Sequence, residues 1–139
     1  MSAPNNRSGV AQYKQASVHH GIEDATPHRL IQMLMDGVLT KVSAAKGHIA
    51  RREAAEKGTA IGTAISIVDG LRISLDMEAG GELAHNLDDL YDYMSRCLLQ
   101  ANLRDDVAKL DEVAALMAQI KSAWDAIPPD AASVEQKSA

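Results

Sequence analysis

The side chains best suited to chemistry in this chain are few: five histidines, one cysteine and nineteen carboxylates. Glu82 and His85 are spaced as Glu-x-x-His, which puts both on one face of a helix. A di-iron carboxylate bundle needs two such pairs, plus a Glu from each of two further helices. No second acid here stands three residues before a helical His, so an N-terminal Glu favouring the helix dipole beside a solvated His accounts for the pair. His19 and His20, with Glu23 and Asp24 nearby, fall in a linker, and a metal site needs a fixed geometry that a linker seldom supplies. His48 has the residue type of a phospho-accepting histidine in a phosphotransfer bundle. It sits at a helix end just before Arg51 and Arg52, however, where a cation simply favours the helix C-terminus. Cys97 lies on an apolar stripe between Met94 and Leu98 with no cationic neighbour, the setting of inert packing. Gly80-Gly81 is too short for a phosphate loop, and no Ser stands in a nucleophile-elbow context. Asp88, Asp89 and Asp92 occupy a polar helix face, with Asp92 and Arg96 as an i,i+4 pair. No catalytic residue, metal or cofactor is therefore expected, and a metal-binding or phosphotransfer bundle is the alternative.

The elements that hold these residues are helices. Thr26-Pro27 is a helix start, Thr as N-cap and Pro at the first helical position. The helix behind it carries Ile31, Leu34, Val38, Val42, Ala45 and Ile49 at three-and-four spacing and is expected to end near Arg52. A second runs from about Glu56 to Leu75 with Ile61, Ile65, Val68 and Leu71 on its stripe. Gly62 and Gly70 weaken it by about 1 kcal/mol each relative to Ala, which suggests a close helix approach. Residues 76–81 read as a loop. The third helix carries Leu83, Leu87, Leu90, Met94 and Leu98, and Asp105 is expected to cap the fourth. That last helix carries Val107, Leu110, Val113, Met117, Ile120, Trp124 and Ile127, and Pro128-Pro129 stops it. Short loops force sequence neighbours antiparallel, so the expected fold is all-α, an up-down four-helix bundle. A short extra helical segment around Val10–Val18 should precede it. Residues 1–9 and 129–139 are expected to be mobile ends of a single domain spanning 10–128.

Composition agrees. One domain typically takes roughly 100–200 residues, and this chain has 139. Its hydrophobic fraction is 46% but its aromatic fraction only 3%, with no Phe, and a core made of Leu, Ile, Ala and Met points to helices. The net charge of −5 is spread thinly, without the basic stripe of a nucleic-acid binder or the basic amphipathic helix of a membrane-surface protein. No apolar run spans a bilayer, and residues 1–7 lack a signal peptide's apolar stretch. A single cysteine cannot form an internal disulfide and fits a reducing compartment, so the expected location is the cytosol, with no nucleic acid bound and no membrane insertion.

What remains is a surplus of apolar residues. A bundle helix needs roughly three apolar positions in seven. The first helix adds Leu30, Met33, Met35 and Leu39 to its stripe, the second Ile67 and Ile73, the third Tyr91, Tyr93 and Leu99. These either widen the core or form a surface for a partner, a use to which re-packable Met side chains are suited.

The residues also match a family pattern. From about Gly9 to Pro128 the chain resembles the flagellar export chaperones of flagellin. The resemblance is carried, in order, by Tyr13 and Val18, the run from Ala25 through Thr26-Pro27-His28-Arg29-Leu30-Ile31 to Leu34, and Asp36-Gly37. It continues through Leu75-Asp76, Gly80-Gly81-Glu82-Leu83-Ala84, Asn86-Leu87, Leu90-Tyr91-Asp92-Tyr93-Met94, Leu98 to Leu103, Glu112-Val113, and Trp124. Met35 departs from it, standing where the family usually has Tyr or Phe. The resemblance implies a cytosolic protein that binds the disordered C-terminal segment of flagellin one to one. It would prevent premature polymerisation and deliver flagellin to the export gate of the flagellar type III apparatus without using nucleotide. A homodimer of the client-free chain is compatible with it. It implies an N-terminal segment, here Val10, Tyr13 and Val18, that packs on the bundle and takes part in client binding. With the surplus residues, the expected flagellin contacts are Val10, Tyr13, Val18, Leu30, Met33, Met35, Ile67, Tyr91, Tyr93 and Leu99.

Overall fold

A computed structural model describes residues 25–128. The expectations for the N-terminal helical segment, for both ends of the chain and for His19 and His20 lie outside these residues. Four helices follow in order: α1 (Pro27–Ala50), α2 (Ala54–Ile73), α3 (Met77–Arg104) and α4 (Val107–Asp125). Each packs on its sequence neighbour and α1 also packs on α4, so the helices close a ring around one core in up-down-up-down order. The four-helix bundle read from periodicity is the fold observed.

Three of the four helix starts are fixed by side-chain caps, the exception being α2. Thr26 Oγ1 accepts the Arg29 N–H at 3.1 Å, and Pro27 opens α1. Asp76 Oδ1 accepts from Glu78 N at 3.2 Å and Ala79 N at 2.9 Å. This cap makes residues 77–80 a helical turn where the sequence suggested a loop. Gly81 (φ 54, ψ −132) then breaks the helix before it resumes. The break leaves Ala84 as the first buried α3 residue, and Leu83, expected on the buried stripe, is exposed.

Two helix ends use left-handed residues other than glycine. Arg52 (φ 58) closes α1, with Arg52 N donating to Ile49 O at 3.1 Å and Glu53 N to His48 O at 2.9 Å. Asp105 (φ 52) closes α3, with Asp106 N donating to Ala101 O at 3.2 Å. Both are Schellman-type stops, and Asp tolerates the left-handed region better than most side chains. Asp105 is thus the stop of α3, while Asp106 is the N-cap of α4, accepting from Lys109 N at 3.3 Å. The expectation that Asp105 caps α4 is off by one because two adjacent aspartates divide the two tasks.

The core is lined by Leu34, Val38, Ile61, Leu71, Met94 and Leu110, among others, each almost fully buried. It closes at one end where Trp124 of α4 stacks on His28 of α1, ring centroids 4.9 Å apart and planes 14° apart. The Trp124 indole N–H donates to the His28 carbonyl at 3.1 Å. Gly62, read as a point of close helix approach, is not one: it is exposed, and a Cβ built there meets nothing within 4 Å.

Candidate functional site

The chemistry-bearing residues do not converge. The His85 ring donates from Nδ1 to the Gly81 carbonyl at 2.8 Å, across the break, and both His85 and Glu82 are exposed. Among the described residues no group of three or more His, Cys, Asp or Glu is placed to hold a metal ion. His48 is half-buried at the α1 end with its Nδ1 2.7 Å from Glu53, whose carboxylate also accepts from Arg51 Nε at 2.9 Å. The His48 and Arg51 hydrogen bonds hold the Glu53 carboxyl below its ordinary value. The stability this exposed pair contributes is present above the ordinary carboxylate range and is lost as pH falls through the lowered value. Cys97 is buried. Its neighbour Tyr93 donates from its hydroxyl to Glu112 Oε2 at 2.5 Å, and that bond, with a smaller effect from Cys97, pushes the Tyr93 pKa up.

The apolar residues proposed as client contacts divide into two groups. Met35, Ile67 and Tyr91, expected as surplus outside the core, are inside it, with exposures of 0%, 1% and 0%. Helix packing is the reason: a side chain in a closed ring of four helices faces two neighbours, so each helix buries a wider arc than a single stripe. Leu30 and Tyr93 are half-buried against the core, Met33 is half-buried, and Leu99 is 52% exposed. Leu30 and Met33 lie near the start of α1 and Leu99 near the end of α3. Those points are at opposite ends of the bundle, because α1 and α3 run in the same direction. Val10, Tyr13 and Val18 lie outside the described residues.

Sequence reading missed the most exposed large apolar residue among the described residues. Leu103 is 81% exposed, one helical turn beyond Leu99 on α3, and Val107, at the start of α4, is 36% exposed. A helical period places Leu99 and Leu103 four apart on the outer side of α3; their separation from the buried Met94, Leu98 and Ala101 was the available signal.

The seam between α2 and α3 is crossed by polar side chains at both ends. Toward the α2 C-terminus it is polar. Arg72 Nε donates to Asp88 Oδ1 at 2.5 Å and Arg72 Nη1 to Asp92 Oδ1 at 3.1 Å, while Ser95 Oγ donates to Asp69 Oδ1 at 3.2 Å. Burial pushes the Asp69 carboxyl up, against the Ser95 hydrogen bond. At the other extreme Lys57 Nζ crosses the seam to the Asn102 carbonyl at 2.9 Å and to Asp105 Oδ1 at 2.6 Å.

No helix among the described residues is long and apolar enough to cross a membrane. The molecule offers exposed and half-buried apolar side chains on a rigid helical frame, which suits the holding of a polypeptide. Comparison with known proteins agrees. The family model described as flagellar protein FliS matches residues 9–131. A flagellar secretion chaperone FliSB of Pseudomonas aeruginosa is 52% identical over 118 residues, covering 85% of this chain and 94% of that protein. The flagellar secretion chaperone FliS of Salmonella typhimurium is 44% identical over 131 residues, covering 94% and 97%. That of Bacillus subtilis is 32% identical over 112 residues, covering 81% and 80%. With a bundle fold and this likeness along nearly its whole length, the chain belongs to the FliS family of flagellar secretion chaperones.

Proposed function

We propose that this flagellar secretion chaperone works in the cytosol, binds the disordered C-terminal segment of flagellin one to one, and keeps it from polymerising until delivery to the export gate. The observation that carries the reading is the exposed apolar pair Leu99 and Leu103 on an otherwise well-packed bundle. A disordered client loses chain entropy as it orders, so its affinity comes from many modest contacts spread over a long path. Leu30 and Met33 at one end, Tyr93 midway and Leu99 at the other would serve such a path better than a single pocket would. Contacts at Met35, Ile67 and Tyr91 would require the core to open, so the surface set excludes them. Val10, Tyr13 and Val18 remain in the proposed set as parts of an N-terminal segment that joins in client binding. No catalytic step is involved: the chaperone acts by occupying surface that would otherwise join the filament.

The test is flagellin polymerisation followed by light scattering. An equimolar amount of the chain should hold monomeric flagellin of the same organism unassembled after filament seeds are added. Seeded growth at the rate seen without the chain would overturn the reading.

A further inference from the structure

The polar end of the α2–α3 seam holds one more carboxylate than its cations satisfy. On the α2 side stand Asp69 and Arg72, three residues apart and so on one face of the helix. Asp88, Asp92 and Ser95 face them from α3. Arg72 is committed to two of these. Its Nε and Nη2 reach the two oxygens of Asp88 at 2.5 and 3.3 Å, and its Nη1 reaches Asp92 at 3.1 Å. Asp92 has a second cation in Arg96, at 3.2 Å along its own helix. Asp69, half-buried, has none. Among the described residues it makes no ion pair, and its one hydrogen bond comes from the Ser95 hydroxyl at 3.2 Å.

A half-buried carboxylate without a counterion costs free energy, because one neutral hydroxyl replaces only part of the water that burial removes. That cost falls on the ionised form alone. Burial, the largest influence, pushes the Asp69 carboxyl above its ordinary value; Ser95 and Arg72 work against this and Asp92 works with it. No charged group of α1 or α4 among the described residues acts on Asp69, so its surroundings are set by α2 and α3. Protonation loses nothing at Ser95, since one oxygen of the neutral carboxyl still accepts.

We propose that Asp69 makes the α2–α3 seam a proton-sensitive clamp, loosened by its lone charge near neutral pH and tightened when that charge takes up a proton. A carboxyl that holds its proton more firmly in the folded chain than in the unfolded one adds stability as pH falls through its folded value. The gain is complete below its unfolded value. Glu53 and Asp125 act in the opposite direction, since His48 and Lys121 respectively are the main groups holding their carboxyls below the ordinary value. Acid therefore weakens the bundle at those two places and strengthens it at the seam. The clamp is a property of the bundle alone and stands whether or not the client reading does.

Two measurements on the full chain test it. Urea unfolding followed by circular dichroism compares the parent with Asp69→Asn, which keeps an acceptor for Ser95 and carries no charge. The variant unfolds at a higher urea concentration at about pH 7, and the gap narrows as the pH is lowered toward about 4, the ordinary range of an aspartate. A carboxyl NMR titration follows Asp69 itself, its signal assigned by its loss in the variant. Asp69 takes up its proton at a higher pH than the aspartates of the urea-unfolded chain do. A gap that is absent at neutral pH, reversed in sign or the same at every pH overturns the clamp. So does an Asp69 carboxyl that titrates with the unfolded-chain aspartates or below them, because Arg72 would then be holding it as a paired anion.

Discussion

Replacing Trp124 by alanine should destabilise the bundle by about 3–5 kcal/mol, the range for removing a buried large aromatic side chain. Trp124 is 3% exposed, stacks on His28 and donates its indole N–H to the His28 carbonyl, so one side chain joins the end of α4 to the start of α1. A loss of that size is a large fraction of the stability of an ordinary domain, about 5–15 kcal/mol. Trp124→Phe keeps an aromatic surface for the stack but cannot donate, and should cost about 1 kcal/mol for the hydrogen bond in addition to the smaller ring. Urea unfolding followed by circular dichroism separates the two, since neither variant has a Trp left to fluoresce. Equal midpoints for Trp124→Ala and the parent would mean that the α1–α4 end of the bundle is held by something else.

Met35→Ala should cost about 2–5 kcal/mol, as removal of a fully buried methionine side chain does. The residue has no exposed surface and sits on α1 between Leu34 and the Asp36-Gly37 pair. The same experiment on Leu99→Ala should change stability by no more than about 0.5 kcal/mol, because an exposed side chain away from caps and buried networks contributes little to folding. The pair distinguishes two uses of apolar residues that look identical in the sequence. If Met35→Ala leaves the unfolding midpoint unmoved, Met35 is a surface residue and returns to the set of client contacts.

That contrast shows how far the sequence could be read. Thr26-Pro27 and the apolar stripes located α1 because capping and periodicity are local properties of the chain. The stops at Arg52 and Asp105 were harder to place, since a left-handed residue that is not glycine leaves little trace in composition. The division of surplus apolar residues between core and surface was not legible at all. Met35, Ile67 and Tyr91 go inside because two neighbouring helices cover them, and Leu99 and Leu103 stay outside because none does. That depends on how α2, α3 and α4 lie against each other, which a single helix's pattern cannot encode. Gly62 shows the same limit from the other side: its cost to the helix was visible, but the open space beside it was not.

The exposed Leu99 and Leu103 stand outside a core that closes without them. The polar crossings from Arg72, Asp69 and Lys57 tie α2 to α3, and neither leucine takes part in them. In the proposed client set, Leu99 stands outside the core while Leu30 and Tyr93 pack against it. Surface variants should alter binding with little effect on stability, and core variants the reverse.

The central claim is that this chain holds the C-terminal segment of flagellin. Isothermal titration calorimetry of the chain with that segment, taken from flagellin of the same organism, tests it most directly. The account predicts saturable one-to-one binding with a negative heat-capacity change, the mark of apolar surface buried as a disordered chain orders. No binding at micromolar concentrations, or equal binding to a scrambled segment of the same composition, would contradict it.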